Sequence, residues 1–488
     1  MGILGSMVEP ERIEYRNDNP VGRTASYVLY WMQAAQRVED NHALWYACDQ
    51  ANRLGLPLSV LFVLADYPSA TAVHYRWMLA GLRQVAGFLR SAGISFTIQK
   101  GQPQRLVAQA ARNAALLVCD RSPCRMAAQA RLAIAGALPI PVIEVDGESV
   151  IPERVASTKQ EWSARTFRNR TAGAIEVYSA ALPLALPVPT HADIHSNLAT
   201  DDLLFDAYAG QTQPAYQGDL SPMQEISAVP GAAAAGAALD RFISERLDAY
   251  DANRNDPLPE GTSGLSAYLH FGQISPLAVL RAARDHGGPG YPAFAEQLVV
   301  RRELCRNYVH YRPLDYDAWS GLPAWSRATL EAAAADRRSH VYSRAAFESA
   351  ATHDPYWNAA QTQLIRTGTI HNYMRMYWGK MILAWSADPR EAFDTALWLN
   401  DRYALDGRDP NGWAGVAWCF GLHDRPWPPR PVFGTVRSMV AAGLRRKFDV
   451  DAYARRWQTA SWADTARQST GHELPKQSGL SIIVSGGI

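Results

Sequence analysis

Charge is scarce in this chain of 488 residues: Asp, Glu, Lys and Arg make up only 19% of it, and 48 basic against 47 acidic side chains leave a net charge of +1. With 48% hydrophobic residues the chain can bury a core, which excludes a disordered or charge-expanded polymer. Cysteine is scarce as well. The five present (Cys48, Cys119, Cys124, Cys305, Cys419) are odd in number, scattered and without a CxxC pair. That excludes a disulfide framework and a thiolate zinc site, and no metal is expected. No apolar run reaches the roughly 18 residues of a membrane span. The first twelve residues lack the basic flank, apolar block and small-residue cleavage site of a leader, so a soluble, cytoplasmic protein is expected. Neither a G-x-G-x-x-G fingerprint nor a G-x-x-x-x-G-K-S/T loop follows any strand-like run, so the common dinucleotide and P-loop signatures are absent.

What is present suggests two domains, at roughly 150 residues per domain. Apolar, β-rich runs recur at Tyr27–Met32, Leu58–Leu64, 94–98, 115–119 and 141–145, separated by segments with helical spacing. Such alternation predicts a doubly wound parallel sheet, Rossmann-like, with helices on both faces. From 180 to 230 the chain turns Pro-, Ala- and polar-rich, then runs through an Ala/Gly stretch, as a linker does. Beyond Leu239 helical patterns dominate, so the second domain is expected to be all-α. The expected boundaries are an N-terminal extension (1–22), an α/β domain (23–180), a linker (181–238), a helical domain (239–460) and a C-terminal tail (461–488).

Three segments carry chemistry. Gly261-Thr-Ser-Gly-Leu-Ser266 places glycines and hydroxyls just ahead of a helix, where free N–H groups can hold an anion. Two longer stretches, DPYWNAAQTQLIRTGTIHNYMRMYWGKMILAW (354–385) and LNDRYALDGRDPNGWAGVAWCFGLHDRPW (399–427), are rich in tryptophan and in Asp/Gly/Pro turns. Within the first, Trp378 and Trp385 are seven residues apart, hence on one helix face at roughly 10 Å. Together with GLSAYLHFGQISP (264–276), VVRREL (299–304) and KFDV (447–450), these segments resemble the photolyase and cryptochrome family, and in particular its class II cyclobutane pyrimidine dimer photolyases. Ala267, Asn372 and Met381 depart from the family's usual Pro, Gly and Lys, and none of the three removes a group assigned a role here.

The resemblance implies FAD, fully reduced in the active form, bound in the helical domain. Tyr250, Ser263, Gly264, Leu265 and Ser266 match the residues around its pyrophosphate. Arg375, Asn400, Asp406, Gly407, Asp409, Asn411 and Gly412 match those around and beneath its ring system. Trp378, Trp357 and Trp385, in that order from the ring outward, match the family's electron-transfer chain. The resemblance allows an antenna chromophore such as 8-hydroxy-5-deazaflavin in the α/β domain, but no motif there distinguishes a deazaflavin from a folate or from none.

The implied partner is UV-damaged double-stranded DNA, whose pyrimidine dimer must be extruded to reach a buried cofactor. Arg254, Asn255, Met376, Trp418 and Trp427 match or neighbour positions at the lesion. Between Arg425 and Arg456 eight cations, Arg437 and Lys447 among them, face two acids, as a phosphate-binding surface would. A carboxyl group that hydrogen-bonds a pyrimidine carbonyl is expected at Glu296, with Gln297 as the alternative occupant of that position and Glu303, seven residues on and on the same helix face, as a structural ion-pair residue. The expected activity is that of a deoxyribodipyrimidine photo-lyase acting as a monomer without an obligatory protein partner or membrane contact; the alternative is a cryptochrome-like photoreceptor without repair.

Overall fold

A computed structural model describes residues 8–182, 199–207, 226, 228–259 and 261–457. Its N-terminal part is built on a six-stranded sheet with β1 (Ile13–Tyr15), β2 (Tyr27–Met32), β3 (Leu58–Leu64), β4 (Ser95–Lys100), β5 (Ala114–Asp120) and β6 (Val142–Val145) in the order β1-β6-β5-β2-β3-β4. The strands β2 to β6 pair in parallel. β2, β3, β5 and β6 are buried along their whole length, because helices cover both faces and leave no position for a polar alternation. The order reverses between β2 and β5, and there the buried carboxylate of Asp120 accepts the backbone N–H groups of Gln33 and Ala35 and the hydroxyl of Tyr30.

The sheet differs from the all-parallel expectation at one edge. β1 runs antiparallel to β6 and lies within the stretch expected as an N-terminal extension. Its anchor is Arg12, fully buried, whose guanidinium donates to the carbonyls of Asp146, Ser149, Val150 and Tyr178. A buried arginine is tolerated only with its donors satisfied, and four carbonyls supply that here.

Beyond the sheet the described chain is helical, as expected, and helix Ala232–Glu245 begins inside the stretch expected as linker. Residues 199–207 return to the α/β part, where Asp202 pairs with Arg90 at 2.8 Å and Asp201 N–H donates to Ile98 of β4. The rest of the expected linker falls largely, and the expected tail wholly, outside the described residues.

The two parts are joined by buried polar contacts as well as by a shared apolar cluster. Arg37 pairs with Glu148 at 2.6 Å and donates to the carbonyl of Gly272 at 3.1 Å. Gly272 itself has φ +62°, and a Cβ there would overlap the backbone carbonyl of Ala34, so the two main chains meet with no room for a side chain. Arg306 pairs with Glu153 at 2.7 Å, and His74 meets the carbonyl of Ala404 at 3.0 Å.

Candidate functional site

The expected pyrophosphate loop borders a cavity of about 980 Å3, the upper end of ordinary ligand sites of roughly 300–1,000 Å3. Its wall combines Ser263 and Gly264 with Asn253, Tyr268, Arg241 of helix Ala232–Glu245 and Arg246 just after its end. Gly264 has φ +71°, and nothing lies within 4 Å of where its Cβ would be, so loop backbone is open to a ligand. Hydroxyl, free backbone and two arginines around a cavity of this size fit a dinucleotide carrying a pyrophosphate. Ser266 is exposed, whereas Leu265 is buried beneath the loop. Tyr250 is not in the wall: its ring packs edge-on against Phe242 and Phe294 at 5.6 and 5.4 Å, and burial pushes its hydroxyl up to about 12. Its part in the site is to hold helix Tyr250–Asn253 in place.

A second group of expected residues converges at the end of helix Pro389–Tyr403. Arg375, on helix Asn372–Trp385, donates to the side-chain oxygen of Asn400 at 2.8 Å and to Asp406 at 3.3 Å. The amide nitrogen of Asn400 donates to Asp401 at 3.0 Å, so both ends of that amide are oriented. A Cβ at Gly412 would stand 2.9 Å from the Asn400 amide nitrogen, and one at Gly407 would stand 2.8 Å from its carbonyl; both positions need glycine for the turn to close over Asn400. Asp409 caps helix Pro410–Cys419 through Asn411 N–H and accepts the Asn411 side chain at 2.9 Å. Burial alone would raise its carboxyl, but the hydrogen bond and charge of His270 at 3.2 Å hold it well below the usual range. His270 ends the short helix that starts at Ser266, so this pair ties the cavity loop to the Asn400 turn.

Asp401 is the residue that the sequence reading missed. It accepts from the Asn400 amide, the Arg408 backbone N–H and the Trp413 indole, and burial raises its carboxyl above the ordinary value. Its position beside Asn400 was visible in the sequence, but its three donors come from the fold.

The three expected indoles stand in series. Trp378 and Trp357 are stacked with ring centroids 6.4 Å apart and planes within 5°, and Trp357 and Trp385 are 6.4 Å apart at 66°. Trp357 therefore bridges the seven-residue gap between the other two. The Trp357 indole donates to the Trp378 carbonyl at 3.0 Å and the Trp378 indole to Gln361 at 2.8 Å, which fixes both rings.

On the surface Trp418, Arg437 and Trp427 form a cation–aromatic group. The Arg437 guanidinium lies 4.2 Å from the Trp427 ring and 5.7 Å from that of Trp418, and is held by Asp424 at 3.1 Å. Beneath Trp418 at 5.4 Å sits buried Lys380, whose ammonium burial pushes down to about 8. Met376 is half-buried next to this group through Cys419, whose thiol faces the Met376 carbonyl. Arg254 and Asn255 end helix Tyr250–Asn253, with Arg254 3.5 Å from Asp251. Lys447 lies apart, 4.2 Å from the Tyr373 ring at the end of helix Ala441–Lys447, where Arg445 and Arg446 are also exposed.

Glu296, expected to meet a pyrimidine carbonyl, is engaged by two arginines. Its carboxylate is gripped by Arg168 at 2.6 and 2.9 Å and by Arg301 at 3.3 Å. Burial works against ionisation, but those partners hold it below the usual carboxylate range. Glu303 departs from its expected ion-pair role: it accepts the backbone N–H groups of Val150 and Ile151, and burial pushes its carboxyl up to about 7. The two do not share a face, because residues Glu296–Arg301 form a π-helical turn whose i→i+5 bonds shift the helical phase.

The DNA photolyase family model matches residues 28–189. A deoxyribodipyrimidine photo-lyase of Methanothermobacter thermautotrophicus is 42% identical over 92% of this chain and 98% of its own length. One of Oryza sativa is 40% identical over 88% and 87%. Among crystal structures, a class III photolyase of Agrobacterium tumefaciens matches with a TM-score of 0.71 at 21% identity, covering 93% of this chain and 94% of its own. A Synechocystis cryptochrome matches with a TM-score of 0.68 at 16% identity, covering 89% of each chain; at these identities the likeness is one of fold. Identity above 40% sustained along nearly the whole of a relative settles the affiliation: the chain belongs to the DNA photolyase family.

Proposed function

We propose that the protein is a deoxyribodipyrimidine photo-lyase of the class II type, which uses light to split cyclobutane pyrimidine dimers in double-stranded DNA. The observation that carries this reading is the run of relatives bearing that name at 36–42% identity over 88–92% of the chain. FAD, fully reduced, would supply the electron that opens the dimer and receive it back. Ser263, Gly264 and Ser266 would hold its pyrophosphate with Arg241 and Arg246. Asn400, oriented by Arg375 and Asp401, would present its amide at the ring edge, and the Arg375 guanidinium, held by Asp406, would stand beside it.

Toward DNA, Trp418 would stack against the extruded dimer, with Met376, Arg254 and Asn255 around it and Trp427 held alongside by Arg437. Cations of the 425–456 segment would take the phosphates. Glu296 is spoken for by Arg168 and Arg301, so we assign the hydrogen bond to the pyrimidine carbonyl to the amide of Gln297, the neighbouring half-buried residue. An amide donates a hydrogen bond to developing negative charge without giving up a proton. The proposal includes an antenna chromophore such as 8-hydroxy-5-deazaflavin in the α/β domain, to be sought by extracting the purified protein. It also includes action as a cytoplasmic monomer. Among the described residues no helix is long and apolar enough to cross a membrane.

The test counts thymine dimers chromatographically in a damaged duplex incubated with the reduced protein under blue light and in darkness. Light-dependent loss of dimers with recovery of thymine is expected. Unchanged dimers in both arms, with FAD bound and reduced, would refute repair and leave a photoreceptor.

A further inference from the structure

The last indole of the series ends against a second aromatic group that the photo-lyase reading does not use. Tyr342 lies in the loop between helices Ala324–Ala332 and Arg344–Glu348, and its backbone N–H donates to the Trp385 carbonyl at 2.9 Å. That bond fixes its ring edge-on to the Trp385 ring at 6.0 Å, slightly closer than the 6.4 Å between successive indoles. Its hydroxyl accepts the backbone N–H of His353 at 3.0 Å and lies 2.9 Å from Nδ1 of the same residue. With the His353 ring in its Nε2–H tautomer, the hydroxyl donates its own proton to Nδ1 while it accepts the backbone N–H. The His353 ring stands 4.8 Å from Trp385 and is exposed, whereas Trp385 is buried.

From this geometry we propose that Tyr342 and His353 form a coupled electron and proton donor that refills Trp385. The proposal rests on the reading of Trp378, Trp357 and Trp385 as an electron-transfer chain. Once Trp385 has given up an electron, its radical cation takes one from the phenol of Tyr342. The O–H bond of Tyr342 breaks, an N–H bond forms at Nδ1 of His353, and the products are restored Trp385, a neutral tyrosyl radical and an imidazolium ion. One electron and one proton move, and the charge that leaves Trp385 ends on an exposed ring from which the proton passes to water. A phenol oxidised without a base would have to become a strongly acidic cation; the hydrogen bond to a neutral imidazole avoids that species.

The groups that face His353 are His340, stacked on it at 3.7 Å, Tyr342, Trp385 and Asp354. Burial and the neighbouring His340 lower the His353 pKa from its ordinary value, against the opposing charge of Asp354, so the ring is neutral and ready to accept at neutral pH. The role is confined to resupply of the chain and leaves the dimer-splitting residues untouched.

The FAD-loaded protein, with its flavin oxidised, is excited by blue-light pulses, and radicals are followed by transient absorption and electron paramagnetic resonance. In the wild type a tryptophan radical cation should convert into a neutral tyrosyl radical. Tyr342→Phe, which keeps the ring against Trp385, should abolish the tyrosyl signal and leave the tryptophan radical to decay by back-transfer. His353→Gln, which keeps Tyr342 but removes the base, should slow tyrosyl formation by about a hundredfold, the scale of a lost proton acceptor. Added imidazole should restore part of that rate. A tyrosyl signal that survives Tyr342→Phe, or a wild type whose oxidation ends on tryptophan, would overturn the pair while the indole chain stands. A wild type with no tryptophan radical would overturn both.

Discussion

Gln361 is fully buried between two partners, accepting the Trp378 indole and donating to the carbonyl of Glu348. Replacing it by Leu leaves an indole N–H without an acceptor inside the core, a loss of about 1–3 kcal/mol in stability that urea unfolding should register. Trp357→Phe interrupts the stacked series, and light-driven reduction of bound FAD should then fall sharply while dimer splitting by chemically reduced protein persists. Glu303 gives a pH signature. Its carboxyl sits near 7 in the fold against an ordinary 4.5, so between those values the folded protein binds more protons than the unfolded chain. Stability from this group therefore declines as pH rises from about 4.5 through about 7, and Glu303→Gln should flatten that part of a melting-temperature profile. The tryptophan series was legible because motif and seven-residue spacing both mark it. Asp401 was not, since nothing local announces that three donors will converge on it.

Helix Pro355–Thr367 begins with Asp354, whose carboxylate accepts the N–H groups of Tyr356 and Trp357 and the hydroxyl of Tyr377 at 2.6 Å. An Asp before Pro is a start signal readable from sequence, and the helix begins where that signal places it. Asp354→Ala should cost about 0.5–2 kcal/mol for the cap alone. The orphaned Tyr377 hydroxyl adds to that, so chemical denaturation of this variant should show a larger loss than removal of an exposed cap such as Asp388. Other elements were hidden. β1 is three residues long and owes its place to the buried Arg12, a tertiary cause. The π-helical turn at Glu296–Arg301 has no composition of its own, and reading it as regular helix is what put Glu296 and Glu303 on one face.

At the scale of the molecule, a net charge of +1 coexists with two local groups of cations, Arg425 and Arg437 around Trp427 and the exposed Arg445, Arg446 and Lys447 at the end of helix Ala441–Lys447. DNA affinity should fall steeply with salt. Arg437→Ala should lower the slope of log K against log salt by about 1 if that side chain neutralises one phosphate, as titrations of damaged duplex over a range of ionic strength would show. The division into an α/β and a helical part was legible from the change of periodicity. The seam between them was not, because it consists of contacts between residues far apart in sequence, such as Arg37 with Gly272 and Arg306 with Glu153. At Gly272 that seam has an evolutionary corollary. Where two backbones touch, the distance between the halves at that point is set by main-chain atoms and not by the size of any side chain. Position 272 is therefore barred from drifting, and a methyl group there would act as a wedge.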